Sequence, residues 1–144
     1  KNVMAVGVGV SDGIGLGHNA RAALITRGLA EITRLGVAMG AHPVTFAGLS
    51  GMGDLVLTCT SRLSPNHTVG ERLGHGESIA AILGGMKQVA EGVSNAAAAR
   101  ALAHQCGIPA PITEEVYAVL HEGKDPHAAV EALLTRDPRP ERDV

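Results

Sequence analysis

The chain has 144 residues, enough for one domain with a proper core, and a formal net charge of −2 with its histidines neutral. It carries no basic stripe and only 1% aromatic residues, so neither a phosphate-neutralising surface nor a stacking platform is present and no nucleic-acid partner is expected. No run of ~18 apolar residues occurs, so no membrane span is expected either.

Hydrophobic residues make up 45% of the chain, yet there is one Phe, one Tyr and no Trp, so the core has to be built from Leu, Ile, Val, Ala and Met. The many alanines and glycines allow helices to approach closely. The opening run, residues 2–10 (NVMAVGVGV), reads equally as a buried strand or a buried helix, because short apolar runs do not discriminate. Gly7, Gly9 and Gly13 suggest a dinucleotide fingerprint, but that motif needs glycine at position 12, where Asp12 stands. Residues 19–39 carry a helical period. Ala22, Ile25, Leu29, Ile32 and Gly36 share one face, with Leu24, Leu35 and Met39 beside them. Arg27, Glu31 and Arg34 line the opposite face, where a solvated Arg–Glu pairing is expected. Gly40 and Pro43 end this helix.

Residues 51–67 (GMGDLVLTCTSRLSPNH) concentrate the polar chemistry. Gly51 and Gly53 permit a tight backbone approach before Asp54. An apolar run follows, then a dense series of polar side chains. Ser64-Pro65 is a helix start: serine accepts from first-turn N–H groups, and proline there loses nothing by lacking one. The helix runs from Pro65 to about Leu73 and ends at Gly74. Free N–H groups and the positive end of its dipole suit a phosphate. On the helix start alone, a capped surface helix after a buried segment is the favoured reading.

Further helices are predicted over 78–83 (closed by Gly84-Gly85), 93–105 (ended by Gly107 and Pro109), 111–121 (stopped by Gly123), and from an Asp125 cap and Pro126 to about Thr135. The charged, proline-rich tail from Asp137 is predicted to be disordered. No alternating strand pattern, repeat or low-complexity linker occurs. The fold class is therefore all-α. Two cysteines, Cys59 and Cys106, with no secretory segment before them, predict reduced thiols in a cytosolic protein, Cys59 as a buried structural thiol. The histidines are spread singly and no metal is expected; His67 alone has a local argument for function. The chain opens on Lys1 rather than Met, as a piece of a longer protein would.

Five segments stand in one order: Lys1-Asn2-Val3, residues 11–36, the GMGDLVLTCTS…N stretch, QVAEGV (88–93) and YAVLHEGKDP (117–126). Together they resemble the C-terminal domain of bacterial NAD(P)-dependent sn-glycerol-3-phosphate dehydrogenases, from Lys1 to about Glu141. The resemblance implies a compact helical substrate-binding and catalytic domain over 1–141, like the helical halves of glycerol-3-phosphate and 6-phosphogluconate dehydrogenases, with a short tail at 142–144. It implies that residues 2–10 are a buried helix. It also implies an upstream Rossmann domain, absent from this chain, that holds most of the NAD or NADP. The small phosphorylated triose would be dihydroxyacetone phosphate or sn-glycerol 3-phosphate, feeding phospholipid synthesis, and a homodimer is expected. The fragment alone should be inactive.

The resemblance also assigns roles. Lys1 is the general acid/base. When hydride reaches the carbonyl carbon, an ammonium near the oxygen stabilises the developing alkoxide and supplies the proton. An ordinary lysine, with a pKa of about 10.4, is a poor base near neutrality, so the reverse role needs burial or a nearby cation. Asn2, Asp54, Thr58, Ser64 and Asn66 are substrate ligands, and Val89 and Glu91 border the cofactor. One departure stands out. The family motif has arginine before the asparagine and usually after it; here Pro65 and His67 occupy those places. Proline cannot make the bidentate contact of an arginine with a phosphate. That leaves the helix start and His67 to compensate. Two other readings remain: a helical interaction module without chemistry, and the helical half of another hydroxyacid or sugar-phosphate dehydrogenase. The GMGDLVLTCTS match argues against the latter.

Overall fold

The computed structural model describes residues 1–137. They form α1 (Asn2–Ile14), α2 (His18–Ala38), α3 (Asp54–Thr60), α4 (Pro65–Gly74), α5 (Ile79–Gly85), α6 (Gly92–Cys106), α7 (Pro111–His121) and α8 (Pro126–Leu134). A 3-10 turn (Pro43–Ala47) and a π-helical turn (Leu49–Gly53) join α2 to α3. Among the described residues there is no strand, and the all-α expectation holds. No helix there is long and apolar enough to cross a membrane. The tail expected at 142–144 lies outside the described residues, as do all residues from 138 onward.

Helix α1 is the axis of the domain. Val3 through Ser11 are all buried, and α2, α3, α4, α6, α7 and α8 each pack against it. A helix apolar on every side has no hydrophobic period, which is why residues 2–10 alone could not separate strand from helix. Its glycines decide how close α4 comes. A Cβ on Gly9 would lie 2.3 Å from the His67 carbonyl oxygen, and one on Gly70 would lie 2.0 Å from that of Val6. Gly13 and Gly74 are equally tight, so backbone meets backbone along the whole crossing. Gly74 is the last residue of α4, as its sequence position suggested, and it also lies in the close crossing. The left-handed residue beyond it is Gly76, at φ 96°.

Two helix starts carry the expected side-chain caps, Ser64 and Asp125, and Ser78, expected inside its helix, proves to be a third. The oxygens of Ser64, Ser78 and Asp125 accept from the N–H groups of His67, Ala81 and Ala128 at 3.3, 3.2 and 3.2 Å.

Helix α2 corrects two expectations. Glu31 does not pair with Arg27 and Arg34 on a solvated face; it is buried and serves α7. Its carboxylate accepts from the Ile112 and Thr113 N–H groups, both at 2.9 Å, and from the Thr113 hydroxyl at 2.6 Å. Pro111 cannot donate, and Ala110 at the N-cap brings no side-chain acceptor, so a carboxylate from α2 satisfies this helix start. Arg27 instead donates to the Leu133 carbonyl, and Arg34 to that of Pro109. The fully buried line of α2 is Leu24, Gly28 and Glu31, not the Ala22–Met39 stripe: Ala22 is exposed and Met39 is 62% exposed. Ile25, Leu29 and Ile32 are half-buried against the core.

Candidate functional site

Three of the five motif segments meet at the N-terminal end of α1. Lys1 Nζ lies 2.7 Å from Asp54 Oδ2, the side chains being 48% and 37% exposed. An ion pair so open to water contributes only about 0–1 kcal/mol, so it is a weak stability device. Asp54 is the first residue of α3 and makes no capping bond, which leaves its carboxylate to Lys1. Asn2 Nδ2 donates to Glu91 Oε2 at 3.4 Å, and the Gly92 N–H donates to Asn66 Oδ1 at 2.7 Å. A Cβ on Gly92 would stand 2.9 Å from the Asn2 carbonyl oxygen, so α1, α4 and α6 converge there. Because Oδ1 of the buried Asn66 is taken, its NH₂ is the group left for a ligand.

The turn ahead of α3 explains how Asp54 reaches this point. A Cβ on Gly51 would lie 2.2 Å from the Phe46 carbonyl oxygen, so the tight approach is real there. Gly53 has no such constraint. The run after Asp54 is only partly inside: Leu55 is buried, whereas Leu57 is 66% exposed.

The other expected site residues have these settings. Thr58 lies one turn beyond Asp54, and its hydroxyl donates to the Asp54 carbonyl at 2.7 Å. Ser64 Oγ is engaged as the α4 cap, and its carbonyl accepts from the Thr68 N–H. Since Pro65 has no N–H and those of His67 and Thr68 are bonded, Asn66 holds the one free N–H of that turn. The N-terminal end of α4 thus offers fewer free donors than its sequence suggested. His67 does not face it as a compensating cation: its ring is buried and Nε2 lies 2.7 Å from Asp12 Oδ2. Asp12 in turn accepts from Arg21 Nε at 3.0 Å. Val89 is 80% exposed, and Glu91 is exposed beside Asn2. Both can border a bound nicotinamide, but neither forms a cradle for one.

Lys1 has neither of the conditions that a lysine base needs, because Nζ is half exposed and its neighbour is a carboxylate. Cys59 is fully buried, and burial pushes its thiol up to about 12, as expected of a structural thiol. Sequence reading missed Asp12, Arg21 and Gly92 as parts of this region. No local pattern marks the first two, whose partners come from other helices.

The domain is all-helical and gathers a lysine–aspartate pair and two asparagines at one end. Residues 1–131 match the family described as NAD-dependent glycerol-3-phosphate dehydrogenase C-terminus, and the chain belongs to that family. It is 63% identical to the glycerol-3-phosphate dehydrogenase [NAD(P)+] of Geobacter sulfurreducens over 99% of this chain and 42% of that one. It is 57% identical to that of Myxococcus xanthus over 98% of this chain and 42% of that one. The chain thus spans less than half the length of these relatives. In structure it resembles the glycerol-3-phosphate dehydrogenase of Coxiella burnetii, with a TM-score of 0.91 at 46% identity, covering 94% of this chain and 42% of that one. The Saccharomyces cerevisiae enzyme follows with a TM-score of 0.83 at 25% identity, covering 94% and 40%.

Proposed function

We propose that this domain is the substrate-binding half of an enzyme that interconverts dihydroxyacetone phosphate and sn-glycerol 3-phosphate with NADH or NADPH. The observation that carries the reading is the Lys1–Asp54 pair at 2.7 Å, beside the free amide of Asn66. When bound, mainly by an N-terminal nucleotide-binding domain, the nicotinamide supplies or accepts the hydride. Lys1 does the proton work. One of its three N–H groups is held by Asp54, leaving the others to meet the substrate oxygen and hand it a proton as the alkoxide develops.

Asn2 keeps Glu91 in place at the cofactor side. Asn66 offers its NH₂ and its backbone N–H to the phosphate, with Ser64 at the same turn. Thr58, as a hydroxyl acceptor, lines the site one turn beyond Asp54. In the reverse direction, closure of the nucleotide-binding domain over Lys1 would provide the burial that the isolated half lacks. The enzyme works in the cytoplasm as a homodimer, in the supply of glycerol 3-phosphate for phospholipids. Exposed apolar side chains such as Leu49, Leu63 and Val89 offer surface for the second domain or the second copy.

The test is steady-state kinetics on the full-length protein and its Lys1→Met variant. The parent should oxidise NADH or NADPH with dihydroxyacetone phosphate. The variant should lose about 10²–10⁴-fold in kcat, the usual worth of general acid–base catalysis, while still binding the nucleotide. A parent without this turnover, or a variant that keeps it, overturns the reading.

A further inference from the structure

We infer that His67 and Asp12 are positioning residues for the phosphate subsite, a conclusion that rests on the proposed role of Asn66. The α1–α4 crossing is built on glycines, backbone against backbone. Such an interface is close, and at its glycines backbone meets backbone with no side chain interlocking to fix how far α4 is rotated or slid along α1. The setting of Asn66 depends on that register, because Asn66 lies on the first turn of α4 and Lys1-Asn2 opens α1.

Two polar links hold the first turn. One is the Gly92 N–H on Asn66 Oδ1. The other, one residue on, is His67 Nε2 against Asp12 Oδ2 at 2.7 Å, with both side chains at least nine-tenths buried. Arg21 from α2 braces the second oxygen of Asp12 at 3.0 Å. A buried polar pair of this kind adds little stability over an apolar pair of equal volume, but it accepts only one register. The burial leaves His67 Nδ1 without a hydrogen-bond partner among the described residues, at 3.8 Å from Glu71 Oε2. An unpaired buried nitrogen is a cost that a purely stabilising contact would not carry. Pro65 sharpens the need, because it brings neither a charge nor an N–H to the turn. With no arginine in the turn, phosphate binding falls on the amide of Asn66, whose placement then matters more.

The experiment uses full-length protein and four variants: His67→Leu, which keeps volume and removes the donor; His67→Gln, which keeps a donor; Asp12→Ala; and the His67→Leu/Asp12→Ala double. Displacing Asn66 removes one hydrogen bond to the phosphate, so the KM for sn-glycerol 3-phosphate should rise about tenfold in His67→Leu and in Asp12→Ala. The KM for the nucleotide and kcat should stay near the parent values, because the lost binding is uniform. His67→Gln should restore the parent KM, and the double variant should cost no more than either single. Should His67→Leu fail to fold, Asp12→Ala against His67→Gln carries the same comparison. A lowered melting temperature with an unchanged KM in the single variants overturns the inference and leaves a structural contact only. An inactive parent overturns both this and the function on which it rests.

Discussion

Asn66 on α4 takes the backbone N–H of Gly92 on α6 at 2.7 Å, and a Cβ at position 92 would stand 2.8 Å from that same oxygen. The glycine is therefore part of the site geometry, although it has no side chain to bring. Gly92→Ala should push Asn66 off its bond and turn its amide away from the substrate phosphate. In the full-length enzyme the expected result is a KM for sn-glycerol 3-phosphate raised about tenfold or more, consistent with the loss of one well-placed hydrogen bond. An unchanged KM would mean that the orientation of Asn66 does not matter to binding.

The glycine crossing between α1 and α4 makes a contrast with open helical glycines. In Gly70→Ala the new methyl group would lie 2.0 Å from the Val6 carbonyl oxygen, and two backbones cannot move apart cheaply. Overpacking of this kind costs about 1–3 kcal/mol. Gly84 in α5 has nothing within 4 Å of its would-be Cβ, and its φ is not positive. Gly84→Ala should stabilise by about 0.5–1 kcal/mol through helix propensity and a less flexible unfolded chain. Urea midpoints of the two variants should move in opposite directions.

What the sequence made legible follows from how local each signal is. Caps at Ser64 and Asp125, and the left-handed glycines 107 and 123, depend on residues a few positions apart, and these placed most helix ends. The site cluster needed the resemblance, because Lys1, Asp54, Asn66 and Glu91 share no spacing that a single helix could reveal. Glu31 misled for a physical reason. A glutamate between two arginines at helical spacing looks solvated, and only the start of α7, eighty residues on, supplies donors that repay its burial. Asp12 was legible only as an argument against a nucleotide fingerprint; its partner His67 arrives from α4 through the fold.

The burial of Glu31 should be visible in the pH dependence of stability. Burial pushes its carboxyl above the ordinary value of 4.5, although the Thr113 hydroxyl and the two amide donors pull it part of the way back. A group whose folded value is raised contributes stability that is complete below its unfolded value and is lost as pH rises through the folded one. The stability of the parent minus that of Glu31→Gln should therefore shrink as pH rises from about 4.5 toward neutrality. Denaturation midpoints of both proteins across that window check it. A difference that grows with pH would mean that the three donors outweigh the desolvation.

Pro65 is the first residue of α4, beside Asn66, and brings no cation to that turn. Pro65→Arg would place a cation capable of bidentate contact at the helix start. One charge-assisted contact is worth about 1.5–3 kcal/mol, so binding of sn-glycerol 3-phosphate should tighten roughly tenfold to a hundredfold. Titration calorimetry on the full-length enzyme measures this directly. No change would mean that the phosphate does not sit at this turn.

Cys59 and Cys106 should separate by reactivity. Cys59 lies on α3, five residues from Asp54, with none of its surface open, and its thiol is held up to about 12 by burial. At pH 8 almost none of it is thiolate, and no reagent can reach it, so alkylation has to wait for unfolding. Cys106 ends α6 and is only half-buried. Treating native protein with iodoacetamide at pH 8 should label Cys106 alone, and adding denaturant should label both, as read by peptide mass spectrometry. Native labelling of Cys59 at a rate matching that of Cys106 would show that α3 opens readily, and the carboxylate of Asp54 would then be held far less rigidly against Lys1 than the 2.7 Å pair implies.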